Sequence, residues 1–200
     1  MKKLILLLMG AAIAAELFSR RSEPEAPAME REARPSAPPV FKTAEECGKA
    51  VLTDVRRAGK VLAVPGEVDG KELAGIGWGA FMELGILEEV ILPDQVSYIG
   101  TGAFTECPRL RKIALGKGLQ RISRCAFDCC PALTELALPE GAKYLRGPLM
   151  VGGGSLQVLT VPGMGTLIEG FEGFQGLIVT PEGSAADTYA KEHGIRTQSL

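Results

Sequence analysis

Every twenty-third residue in the middle of this chain repeats its character, and that period constrains the fold more than any other feature. Ile76, Ile99, Ile122, Leu145 and Ile168 are spaced by 23 throughout. Ala80-Phe81, Ala103-Phe104 and Ala126-Phe127 recur at the same interval, as do Leu92-Pro93, Leu115-Gly116, Leu138-Pro139 and Val161-Pro162. A further column runs Leu87, Leu110, Leu133, Leu156, with Val90, Ile113, Leu136 and Leu159 three residues on. Several columns sharing one period mark a repeat architecture. Each unit reads L-x-x-[IVL]-x-[LV]-P, a turn, then I-[GS]-x-x-A-F-x-x-C-P-x-L. The first segment predicts a short strand, with Val90 and Leu92 inward and Ile91 outward. The Pro or Gly after it stops the strand. Gly77 and Gly100 are expected to supply tight turns of positive φ, and A-F-x-x-C a short helical or 3-10 turn on the opposite side. Ordering a residue costs about 1–2 kcal/mol, and a fully buried large side chain returns about 1.5–3 kcal/mol. One unit alone should not fold. Stacked copies bury each other's apolar columns, which predicts a quasi-one-dimensional solenoid.

The motif IGTGAFTECPRLRKIAL, with its echoes IGWGAFMELGILEEVILP and ISRCAFDCCPALTELALP, resembles the BspA-type leucine-rich repeats of bacterial surface proteins. The resemblance covers about residues 61–200, where TPEGSAADTYAKEHGI also resembles the closing segment of such arrays. It implies a parallel-stranded leucine-rich-repeat solenoid, an extracytoplasmic location, and binding rather than catalysis. Some members of that family act as adhesins toward host or matrix proteins. No ligand residue carries over, because the motif columns are core positions. The chain departs from the common leucine-rich pattern where Asn or Cys is usual: Gln95, Gly118, Gly141 and Met164 stand there, so an Asn ladder is absent. The fourth unit, LRGPLMVGGGS, has lost its Phe and Cys columns, and the fifth, IEGFEGFQG, is shortened with its Phe at 171 or 174. Residues 146–155 are expected to be the least rigid part of the array.

Outside the repeats, residues 1–15 read as a signal peptide. Lys2 and Lys3 precede an apolar run, Leu4 to Ala15, too short to span a bilayer comfortably, with small residues at its end. An uncleaved anchor through Phe18 is the alternative, and the only membrane association expected. Residues 16–40 are rich in Pro, Ala, Glu and Arg, and read as a flexible tether. Thr43-x-x-Glu46 is a capping-box pattern, with Val51, Leu52 and Val55 on one helical face, so a capping helix is expected within 41–60. The solenoid of about five units then fills 61–176 and a C-terminal cap 177–200, its helix running from Ser184 to His193 with Ala185, Tyr189 and Ala190 inward. The expected class is thus an α/β solenoid, mostly short parallel strands with short helical turns, closed by helical caps at both ends.

The functional signals are weak. A net charge of −2 with interspersed signs, and few aromatics, offers neither the basic stripe nor the stacking surface that a nucleic acid needs. The five cysteines have an odd count; Cys107 and Cys130 share a column and read as a buried thiol column. Cys125 and Cys129 suggest neither a disulfide framework nor a zinc site without a second pair. His193, the single histidine, has no nucleophile beside it in sequence. The segment GPLMVGGGSL lacks the Lys-Ser/Thr ending of a phosphate loop. No catalytic, metal or cofactor residue is therefore expected. The candidate ligand face comprises Glu89, Lys112 and Glu135, an outward charged column on successive strands, together with Ile91; opposite charges across strands would also favour the register. Trp78 is a candidate anchor, with packing against the capping helix as its alternative. The expected function is adhesin-like binding of a protein or glycan partner at the cell surface or outside the cell. A structural spacer is the alternative, and a hydrolase fragment a lesser one.

Overall fold

The computed structural model describes residues 38–151 and 155–200. The signal-peptide reading, nearly all of the tether and the centre of the glycine-rich segment lie outside them. The chain winds as a series of stacked coils, each with two short strands and a turn. One set of strands, β1 (Val40–Glu46), β2 (Lys49–Arg56), β5 (Lys71–Ile76), β7 (Tyr98–Ile99), β9 (Arg121–Ile122), β11 (Tyr144–Arg146) and β13 (Leu167–Glu169), forms a sheet in that order, with β4 (Glu67–Val68) paired to β5. We call it the first sheet. The other set is divided: β3 (Val61–Ala63), β6 (Glu89–Ile91) and β8 (Lys112–Ala114) form one sheet, and β10 (Glu135–Ala137), β12 (Val158–Thr160), β14 (Leu177–Thr180) and β15 (Arg196–Ser199) another.

The register follows the period. Ile76 pairs with Ile99, Ile99 with Ile122, Ile122 with Leu145 and Leu145 with Ile168, all parallel. Val90 and Leu92 are buried and Ile91 is outward, as the alternation requires. The Phe column stacks: Phe81 and Phe104 lie 4.4 Å apart and Phe104 and Phe127 5.4 Å apart by ring centroids, all without solvent exposure. The thiols of Cys107 and Cys130 are buried beneath it, each donating to the preceding coil's Phe carbonyl, Phe81 O at 3.0 Å and Phe104 O at 2.9 Å.

The A-F-x-x-C segment is a series of turns, not a helix. Its amides bond alternately within the coil and to the next coil. Thr105 N donates to Gly102 O, but Phe81 N donates to Ala103 O and Phe104 N to Ala126 O, each at 2.8 Å. A helix would claim those amides internally and break the stack. Gly77 and Gly100 do not have positive φ either. They are small because a Cβ would come within 2.9 Å of Leu52 O and 3.0 Å of Ile76 O on the coil before. The left-handed positions fall two residues later, at Gly79, Gly102 and Cys125, with φ of 62°, 63° and 54°.

The expected N-terminal capping helix is absent. Residues 40–56 form an antiparallel hairpin whose turn, Cys47-Gly48, has positive φ at both residues (51° and 78°). That is the backbone of a two-residue hairpin turn. Val51, Leu52 and Val55 are buried, as a helical face would have them. Bulges at Lys42/Thr43 and Ala50/Val51 give the strand that irregular burial pattern instead. Strand β2 pairs with β5, placing Leu52 beside Ile76, so the hairpin supplies a sixth layer to a stack expected to have about five. At the other end, a helix α1 (Ala185–Glu192) does form, with Ser184 Oγ accepting from Asp187 N. Ala186 and Ala190 point inward, and Ala185 and Tyr189 are only half-buried. Gly194 turns the chain at φ 65°, Ile195 returns to the core, and β15 pairs with β14. The last layer on that side is therefore a strand and not a helical cap.

Candidate functional site

The expected charged column is real for two of its three members. Glu89 and Lys112 are register partners on β6 and β8, and Lys112 Nζ lies 2.7 Å from Glu89 Oε1. Beside them, Glu88 takes ion pairs from Arg111 and from Lys60, the latter at 3.6 Å. Glu135 does not continue the ladder, because the sheet parts between β8 and β10. Before the parting, Gly116 stands where the other units have Pro, and a Cβ there would lie 2.2 Å from Pro93 O. One on Gly118 would lie 2.1 Å from Asp94 O, and Lys117 N donates to Asp94 Oδ1 at 2.7 Å. This coil thus lies close on the one before it.

Across this parting the outward side of the strands carries a groove of ≈ 510 Å³ that reaches from Val61 on β3 to Thr160 on β12, lined by Glu89, Lys112, Ile113, Glu135 and Leu136 among others. Ile113 is half-buried, although its column mates Val90, Leu136 and Leu159 are fully buried. The floor is apolar and the rims carry charges of both signs. Ile91 is 41% exposed on the same sheet. Trp78 is elsewhere: it follows β5 on the first sheet, is 70% exposed, and has no capping helix to pack on. Its indole leans over the next coil, with Nε1 3.5 Å from the place of a Cβ on Gly102.

The first sheet carries a second set of surface residues that the sequence reading passed over. The residue before each inward Ile points out, giving the column Tyr98, Arg121, Tyr144 and Leu167. Tyr98 lies over Gly75, where a Cβ would come within 2.3 Å of the ring. Its hydroxyl donates to Glu46 Oε2 at 2.7 Å, and burial together with that carboxylate pushes its pKa up to about 12. The Arg121 guanidinium sits 5.4 Å from the Tyr98 ring centre, a cation–π distance. The Glu169 carboxylate raises the Tyr144 hydroxyl above its usual pKa and accepts an ion pair from Arg146 at 2.9 Å. The signal was present in the period: Tyr98, Arg121 and Tyr144 are spaced by 23. It was missed because only the strand before the Pro had been read for its outward side.

Among the described residues, no group of three or more His, Cys, Asp or Glu gathers as metal ligands would, and the cysteines are free thiols. His193 caps α1, with Nδ1 2.8 Å from Tyr189 O and its ring stacked on Tyr189 at 4.1 Å. Cys47 is exposed in the hairpin turn of the first layer, far along the chain from it. No described helix is long and apolar enough to cross a membrane.

Comparison with known proteins agrees with this geometry. Residues 73–169 match the model of the BspA type leucine-rich repeat region in six copies. A leucine-rich repeat protein from Bacteroides ovatus is similar in structure, with a TM-score of 0.57 at 24% identity over 71% of this chain. This chain spans 39% of that protein's length. A leucine-rich repeat protein from Bacteroides capillosus has a TM-score of 0.52 at 28% identity, covering 65% of this chain and 93% of its own. A leucine rich cell surface protein from Faecalibacterium prausnitzii has a TM-score of 0.55 at 21% identity, covering 80% of this chain and 37% of its own. No curated protein matches the sequence. The array at residues 73–169 thus matches the BspA type leucine-rich repeat region, and its parallel, 23-residue register is that of a leucine-rich-repeat solenoid.

Proposed function

We propose that this protein is an exported interaction module, held at the cell surface or released, that binds a protein or glycan partner and catalyses nothing. The observation that carries the reading is the groove across the outward side of β3 to β12, where an apolar floor lies between charged rims. Partly apolar clefts with a few placed polar groups are the usual form of a binding site. Three of the four sequence candidates on this face, Glu89, Lys112 and Glu135, line it. Export is supported by the apolar run Leu4 to Ala15, and a surface location by the likeness to a leucine rich cell surface protein from Faecalibacterium prausnitzii.

The test is binding of the purified protein to arrays of glycans and matrix proteins, repeated with Lys112→Glu and Glu135→Lys. A ligand whose signal is lost in both variants, with the fold intact by circular dichroism, supports the reading. A ligand-free protein, or one bound equally well by all three forms, would return the face to a spacer role. Cell fractionation with N-terminal sequencing decides the compartment.

A further inference from the structure

We propose that the first sheet is a second binding surface, specific for an acidic polysaccharide whose sugar rings carry carboxylate or sulfate groups. This deepens the binding reading and rests on it, but it concerns a different face. Three arginines, Arg121, Arg124 and Arg146, line one cavity of ≈ 230 Å³ with Tyr144, Ser123 and Thr101. Arg146 is neutralised by Glu169. Arg121 lies over the Tyr98 ring, and neither it nor Arg124 forms an ion pair with a carboxylate among the described residues. Two guanidinium groups therefore stand uncompensated beside a polar floor, in a chain of net charge −2. A guanidinium presents a planar fork of donors that matches carboxylate and other oxyanions.

The rest of the face argues for sugar over an acidic peptide. This is the face of a sheet, whose strands are paired along the stack from β2 to β13. The strands that line the cavity, β9 and β11, are each paired on both sides, so an extended peptide has no free edge to join there. What the surface does offer is aromatic: the Tyr98 ring covers Gly75, and Trp78 stands 70% exposed at the margin. Aromatic rings next to paired forks of positive charge suit pyranose rings bearing acidic substituents. Successive coils repeat about every 4.8 Å, so a long chain can contact several of them at once.

The experiment uses the full chain with four probes: polygalacturonate, dextran sulfate, neutral dextran and poly-L-glutamate, measured by calorimetry. Binding of either acidic polysaccharide without neutral dextran is expected, and the polygalacturonate and dextran sulfate arms separate carboxylate from sulfate. Arg121→Gln with Arg124→Gln should weaken it by about tenfold or more, since each charged contact is worth on that order. Lys191→Gln with Arg196→Gln removes the same charge from the C-terminal end, away from both cavities, and should change it less than about twofold. Trp78→Ala should weaken polysaccharide binding. Equal losses from the two double variants would reduce the effect to net charge and overturn the assignment. Poly-L-glutamate bound as tightly as the sugars, with Trp78→Ala silent, would overturn it in favour of an acidic protein. No binding of any acidic probe would also overturn it, while the Lys112 and Glu135 variants test the groove independently.

Discussion

Removing the middle ring of the Phe stack tests whether the period truly stabilises through layer-on-layer contact. Phe104 has no solvent exposure and stacks on both Phe81 and Phe127, at 4.4 and 5.4 Å. Truncating a buried Phe to Ala costs about 3–5 kcal/mol through lost transfer energy and the cavity left behind. Each ring pair adds about 0.5–1.5 kcal/mol beyond burial. Phe104→Ala loses two such pairs, and Phe81→Ala or Phe127→Ala loses one. The middle variant should therefore be the most costly, by about 0.5–1.5 kcal/mol over either end. Phe104→Leu, which keeps most of the volume, should cost well under half as much as Phe104→Ala. Urea unfolding followed by far-UV circular dichroism, compared by midpoint and slope, reads these differences. The stacking account is refuted if Phe104→Ala is no worse than the end variants, or if Phe104→Leu is as damaging as Phe104→Ala.

Four shorter predictions follow from the same coordinates. Cys125 holds φ 54° where the two preceding coils have Gly102 and Gly79; Cys125→Gly relieves about 1–2 kcal/mol of left-handed strain against about 0.5–1 kcal/mol of added chain entropy, so a small gain in urea midpoint is expected. In the native state Cys47 should react rapidly with a thiol reagent while Cys107 and Cys130 react only on unfolding; both are fully buried, and the neighbouring Cys107 together with burial holds Cys130 well above the usual thiol range. Leu52→Ala, at a fully buried site on the hairpin's second strand, should cost about 2–5 kcal/mol and expose the first layer, seen as a lowered midpoint with increased dye binding. Asp187 accepts from Lys191 and from Gly183 N, which hold its carboxyl below the ordinary 3.8. A depressed folded value stabilises at higher pH and is lost as pH falls through it, so Asp187→Asn should lower stability at neutral pH and flatten the loss measured below about pH 4.

The architecture was readable because a parallel stack places the same residue of every unit in the same environment. The columns headed by Ile76, Phe81 and Val90 could be assigned without coordinates, and with them the inward side of each strand and the membership of the array. The first layer was misread for a physical reason: Val51, Leu52 and Val55 have helical spacing, and only the bulges that fit β2 onto β5 explain such burial in a strand. The A-F turn was misread similarly, because its amides are satisfied by the neighbouring coil, and a partner 22 residues away is invisible to local pattern. Both candidate binding surfaces needed tertiary structure. The groove lies where β8 and β10 are left unpaired with each other, and the arginine cluster arises because three positions from adjacent coils converge on one cavity. Periodicity states what each layer shares. Where layers part, or where their differing residues meet, depends on how closely the backbones approach, and that is decided only when they are stacked.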